Sequence, residues 1–311
     1  MSSFLRYFRL KLVVVLLRTI NWLRTRGLRQ APLPPGTQRE RVRIPTRDSG
    51  RFLDGYIYCP PDEAAVSSTS RRPVLVNWHG SGFLFPNFDM DKAYCSYVAR
   101  EAGIYVVDAD YRKAPETPFP GPVNDVEDVL RWVGTQSHRF DTASVGLSGF
   151  SSGGTLAMVA SSSLRDALPE LTVKIGIGLY PGLDLAVDPA TKEAPRPGKV
   201  IPPKIANLFT ECYAPDPATR TDPRVSPAFA DPDAFPESMV VLTCDGDNLA
   251  PEANVLAGKL SDGRRKVTHR MLEGVDHGFD KVAAEGTDDA KQRDVAYSII
   301  VDAIKEVFAS T

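Results

Sequence analysis

The sequence predicts an α/β fold, a mostly parallel sheet of about eight strands with helices on both faces. Three observations carry that prediction. Val74-Leu75-Val76-Asn77-Trp78 and Ile104-Tyr105-Val106-Val107 are nearly continuous apolar runs, as strands buried on both faces must be. Amphipathic helical segments separate such runs, and strands alternating with helices wind a parallel sheet through crossovers. A β-prone run, Ser144-Val145-Gly146-Leu147-Ser148, passes through a G-x-S-x-G pentapeptide into the small-residue run 155–160, a sharp strand-to-helix turn.

The chain has 311 residues, 42% hydrophobic and 24% charged, which suits one large domain with an insertion or two smaller ones. Its net charge is -2 and no basic patch stands out, so a nucleic-acid partner is not expected. Cys59, Cys95, Cys212 and Cys244 form no C-x-x-C pair. They read as free thiols in a reducing compartment, with the cytoplasm as the expected location.

Residues 4–23 are rich in Leu, Val and aromatics. Arg6, Arg9, Lys11, Arg18, Arg24 and Arg26 interrupt them, leaving no run of membrane-spanning length. Arg-Thr-Ile-Asn-Trp follows the apolar core where a signal peptide would have a cleavage site. Two readings survive: a helix packed over the site, or an interfacial anchor making weak membrane-surface contact through residues 4–26. At 100° per residue the charges scatter around the helix, which favours packing. Residues 1–35 are therefore expected to be a helix belonging to a cap, set off by the linker Pro32-Leu33-Pro34-Pro35-Gly36.

Segments 41–44 and 53–58 alternate like half-exposed antiparallel strands, and a polar loop, 62–72, follows them. After the buried runs comes a helix over 122–133, with apolar residues at Val123, Val126, Val129, Leu130 and Val133 and Pro122 in the first turn. Segments 173–179, 239–242 and 267–272 continue the strands, and 294–308 reads as a C-terminal helix. Twelve of the 26 prolines lie between Pro181 and Pro236. Residues 182–236 thus read as a Pro-rich cap insertion, with one helix over 201–213, in a core made of 36–181 and 237–311.

The turn at 149–153 points to chemistry. A serine held in strained backbone between strand and helix needs neighbours without side chains, and Gly149 and Gly153 supply them around Ser151. A frame centred on Ser152 would need glycine at Phe150. A hydroxyl needs a base, and the base an orienting acid. Of His79, His138, His269 and His277, only His277 sits in a glycine-flanked loop after a late strand. Asp245 and Asp247 both follow the strand before it, and either could be the acid. Amide donors for an oxyanion should come from Ser152 and from the Gly-rich stretch Trp78-His79-Gly80-Ser81-Gly82-Phe83.

Taken together, His79-Gly80-Ser81-Gly82, Asp110-Tyr111-Arg112-Lys113-Ala114-Pro115-Glu116 with Phe119-Pro120, 149–154, Asp247-Asn248-Leu249 and 274–279 resemble the hormone-sensitive-lipase family of α/β-hydrolases. The likeness covers roughly residue 74 to the C-terminus and includes Ser226-Pro227-Ala228. It implies the α/β-hydrolase fold with a lid, and a carboxylesterase in which Ser151, Asp247 and His277 form a triad. It selects Asp247 over Asp245. It puts the oxyanion donors at Ser81 and Gly82, beside Ser152. It implies short to medium acyl esters, a lactone or an acetylated metabolite as substrate. The sequence shows no metal-ligand cluster or dinucleotide fingerprint, so no metal or cofactor is expected. The chain departs from the family at Ser81, Phe150, Ser152 and Lys113, where the pattern has Gly, Asp, Ala and Leu. Phe83, Phe85, Phe88, Phe150 and Phe279 flank the motifs as expected lining of an apolar pocket. Amide hydrolases and dehydratases share the scaffold, and so do ligand receptors, which typically lack part of the triad.

Overall fold

The computed structural model describes residues 3–61 and 71–309, so most of the expected polar loop 62–72 lies outside the described residues. Eight strands form one sheet: β1 (Gln38–Pro45), β2 (Phe52–Cys59), β3 (Arg72–Trp78), β4 (Tyr105–Ala109), β5 (Phe140–Phe150), β6 (Val173–Leu179), β7 (Ser238–Cys244) and β8 (Lys266–Leu272). Their order is β1-β2-β4-β3-β5-β6-β7-β8. β2 pairs antiparallel with both β1 and β4, and the remaining pairs are parallel. Among the described strands β2 is therefore the one reversed, and β1 runs with the rest.

The helices are α1 (Ser3–Gln30), α2 (Lys92–Ala102), α3 (Gly121–Thr135), α4 (Ser152–Ser161), α5 (Pro203–Tyr213), α6 (Ala250–Leu260) and α7 (Asp288–Ala309). α7 begins six residues earlier than the apolar spacing suggests. Between β6 and β7 the described chain runs through α5 and short single turns.

Strand alternation sorts the core into two layers. Val74, Val76 and Trp78 of β3 pack with Val126, Val129 and Leu130 of α3 and with Leu156 and Val159 of α4. Leu75, one residue out of phase, belongs to the opposite face with Val98 of α2 and Ile300 and Ile304 of α7. Each fully buried aliphatic side chain contributes about 1.5–3 kcal/mol, so the two layers, rather than helix propensity, fix the sheet's register.

The chain builds outward from β3 to β4 and then returns to place β5 on β3's other side. A reversal of that kind opens a crevice at the carboxyl ends of the strands, where ligands bind in open α/β sheets. The loops after β3, β5, β7 and β8 carry His79 to Gly82, Ser151, Asp247 and His277 to this end.

Candidate active site

Ser151 joins β5 to α4 with φ 51° and ψ -122°, a left-handed conformation that costs a non-glycine residue on the order of 1–3 kcal/mol. The turn is tight enough to explain its glycines. A Cβ on Gly153 would lie 2.6 Å from the His79 carbonyl oxygen and nearer still to that of Trp78. A Cβ on Gly149 would lie 2.7 Å from the Gly154 nitrogen. Gly153→Ala is expected to cost on the order of 4–5 kcal/mol and to lower Tm by 10 °C or so, with loss of turnover. Gly258→Ala is the control, because Gly258 lies in α6 with open space at its Cβ position and should gain a few tenths of a kcal/mol or more. A Gly153→Ala protein that melts like the parent would contradict this account of the turn.

Ser151, His277 and Asp247 meet in one hydrogen-bonded line. His277 Nδ1 donates to Asp247 Oδ2 at 2.7 Å, and Ser151 Oγ donates to His277 Nε2 at 2.9 Å. A carboxylate can only accept, which fixes this tautomer on a neutral imidazole. The other oxygen of Asp247 accepts from the Leu249 amide at 2.9 Å, and the carboxylate is fully buried. Burial presses the His277 pKa down, but the charge of Asp247 and its hydrogen bond outweigh that, and Asp280 adds to them, leaving it above the ordinary histidine value.

The two aspartates that the local sequence could not separate have different partners. Asp245 accepts from the Gly274 amide at 2.9 Å and pairs with Arg196 at 3.0 Å, tying the β7 and β8 loops together.

The loop after β3 is held from beneath. His79 is fully buried, 3.1 Å from Asp110, and Lys113 donates to the same carboxylate at 2.7 Å. Burial presses the His79 pKa down and Lys113 lowers it further, so the ring is a neutral strut rather than a base. Lys113, in the place of the family's leucine, lies 3.5 Å over the Tyr111 ring.

Ser81 and Ser152 are two departures from the family pattern that meet in space. The Ser81 amide donates to Ser152 Oγ at 2.9 Å, and Ser81 Oγ lies 2.7 Å from the Tyr111 hydroxyl. Tyr111 donates to the His79 carbonyl at 2.8 Å. The Ser81 amide, expected to face an oxyanion, is therefore engaged inside the protein. No such bond holds the Gly82 or Ser152 amide among the described residues.

A cavity of about 500 Å³ opens over Ser151 and His277. Phe83, Phe85 and Phe150 line it, as do Leu28 of α1 and Ile205 and Phe209 of α5. Phe83 is stacked on Tyr213 at 3.7 Å. Phe150 is fully buried, and the Lys281 ammonium sits 3.2 Å above its ring, held by Asp91 and Asp280 at 2.8 Å each.

Two expected lining residues do not line the cavity. Phe279 turns into the core after Gly278, whose φ of 74° reverses the chain, and packs 6.3 Å from Tyr180. Phe88 stacks on Tyr56 at 5.3 Å instead.

Two residues that pack against the site had no signal in a motif. Tyr180, just after β6, sets its ring 4.8 Å from the His277 ring, and its hydroxyl donates to Asp280. Its place at the end of a parallel strand was the available clue. Phe209 covers the loop after β3, its Cε2 2.7 Å from where a Cβ on Gly82 would be.

The family model described as alpha/beta hydrolase fold matches residues 75–281. An ethyl acetate hydrolase of Pseudomonas putida is 25% identical over 266 residues, covering 85% of this chain and 81% of its own. A solved esterase of the archaeon Pyrobaculum calidifontis is 25% identical with a TM-score of 0.74, over 98% of this chain and 93% of its own. A fungal esterase of Rhizomucor miehei, 22% identical, shares the fold at a TM-score of 0.79 over 96% and 91% of the two chains.

Proposed function

The chain belongs to the α/β-hydrolase fold family, among its carboxylesterases akin to hormone-sensitive lipase, and from that premise we propose that it hydrolyses short to medium acyl esters through an acyl-enzyme on Ser151. One observation carries the reading: His277 bridges a serine on a strained elbow to a buried carboxylate.

In the proposed cycle His277 Nε2 takes the Ser151 proton as Oγ attacks the ester carbonyl. Asp247 keeps the proton on Nδ1 and stabilises the imidazolium. The oxyanion is met by the amides of Gly82 and Ser152, at the positive end of α4. The Ser81 amide acts one step behind, fixing Ser152 through its hydroxyl. Imidazolium returns the proton to the departing alcohol, and water activated by His277 then releases the acid.

The short acyl preference is supported by the bulk of Phe209 against the oxyanion loop, and by the substrate in the name of the Pseudomonas putida relative. The test is turnover of p-nitrophenyl esters from acetate to dodecanoate, with an acyl phosphonate to label Ser151. Acetate to hexanoate should be preferred. Phe209→Ala should raise the octanoate-to-acetate ratio of kcat/KM about tenfold, since a methylene in an apolar pocket is worth about 1–3 kcal/mol. A dodecanoate preference in the parent would contradict the chain-length reading. No ester turnover and no labelling would contradict the esterase reading itself.

A further inference from the structure

We propose that the outward face of α1 docks on an anionic lipid surface. Among the described residues no helix is long and apolar enough to cross a membrane, so the contact is one that lies flat. α1 is fastened in one orientation. Val14 is fully buried, Arg18 donates to the carbonyls of Leu84 and Ala114 at 2.8 Å, and Lys92 donates to that of Ala31 at 2.6 Å.

About half a turn from Val14, the opposite side carries Leu5, Phe8, Leu12, Leu16 and Leu23 within an arc of about 80°. Leu16 and Leu23 are 61% and 60% exposed, and the other three more than half. The stripe runs about 27 Å along the helix. Trp22, half exposed, lies at its edge.

Charge identifies the occupant. α1 holds seven of the chain's 37 Lys and Arg and none of its 39 Asp and Glu. Arg6, Lys11 and Arg18 face acids of the body, Glu211 and Glu116. Arg9, Arg24 and Arg26 are exposed, Arg9 and Arg26 along the stripe and Arg24 on the helix flank about 80° round from it, with no acidic partner among the described residues. A second copy of the chain would set these cations against its own, with no anion on either helix to answer them. Anionic headgroups answer them, while the leucines enter the acyl boundary.

The test is co-sedimentation of the full chain with phosphatidylcholine–phosphatidylserine vesicles. Binding is expected at low salt. It should fall at least tenfold in pure phosphatidylcholine, in 0.5 M NaCl, or with Arg24→Glu/Arg26→Glu. Leu12→Glu/Leu16→Glu should abolish it, with Tm unchanged because both side chains are in solvent. The proposal is overturned if the parent stays in the supernatant with anionic vesicles at low salt, or if the double leucine variant binds like the parent. It is equally overturned if neutral vesicles bind as well, or if the parent is a dimer that Leu16→Glu splits, which would make the occupant a second copy.

Discussion

Ser151→Ala is expected to lower kcat for p-nitrophenyl acetate by about 10⁴-fold or more while the protein stays folded. The hydroxyl is the atom that forms the acyl bond, and Ser152 cannot replace it. Its Oγ is engaged by the Ser81 amide at 2.9 Å. It also starts α4 with ordinary helical geometry rather than standing on the elbow. The backbone strain at φ 51° remains in Ser151→Ala, because alanine also has a Cβ. Tm should therefore move little. Ser151→Gly should be equally inactive yet melt at a higher temperature. It removes strain of the order of 1–3 kcal/mol and gives back about 1 kcal/mol of unfolded-chain freedom. Chromogenic turnover with thermal melts of both variants measures the two effects separately. Retained turnover in either would remove Ser151 from the nucleophile's place. A lower Tm in Ser151→Gly would show that the elbow is not held against strain.

The sheet was legible because burial on both faces writes continuous apolar runs, and the elbow because its sterics demand glycine at 149 and 153. α2 left a fainter trace. Tyr94, Cys95, Val98 and Ala99 share one helix face, but the pattern spans only two turns and Lys92 and Ser96 are buried beside it. Local sequence could not separate Asp245 from Asp247, two residues apart on one turn. What separates them is Arg196 and Gly274, contributed from distant loops. Phe279 read as pocket lining because it adjoins His277, but the backbone reverses at Gly278 between them. Ser81 and Ser152 read as two unrelated departures. Separated by 71 positions, they form one hydrogen bond, and a single sequence holds no record of such a pairing.

Asp247→Asn is expected to lower kcat by about 10⁴-fold and to move the acid limb of the remaining rate to lower pH. An asparagine amide in that place would donate to Nδ1, forcing the proton onto Nε2, where it cannot accept from Ser151. The pH effect follows from the balance on His277. Burial lowers its pKa, and Asp247 is the largest influence raising it. The base must be neutral, so in the parent kcat/KM falls as pH drops through a pKa above the ordinary histidine value. Without the Asp247 charge, burial gains weight, and the limb shifts downward. The shift is partial, because Asp280 still favours the imidazolium. Asp245→Asn is the discriminating control. It removes the charge that pairs with Arg196, weakens the tie to the Gly274 amide, and leaves the imidazole's partner in place. It should melt earlier yet keep kcat within about tenfold and the acid limb unmoved. If instead Asp245→Asn carries the 10⁴-fold loss and the shifted limb, the acid of the site is Asp245, and the Asp247–His277 bond serves only to order the loop.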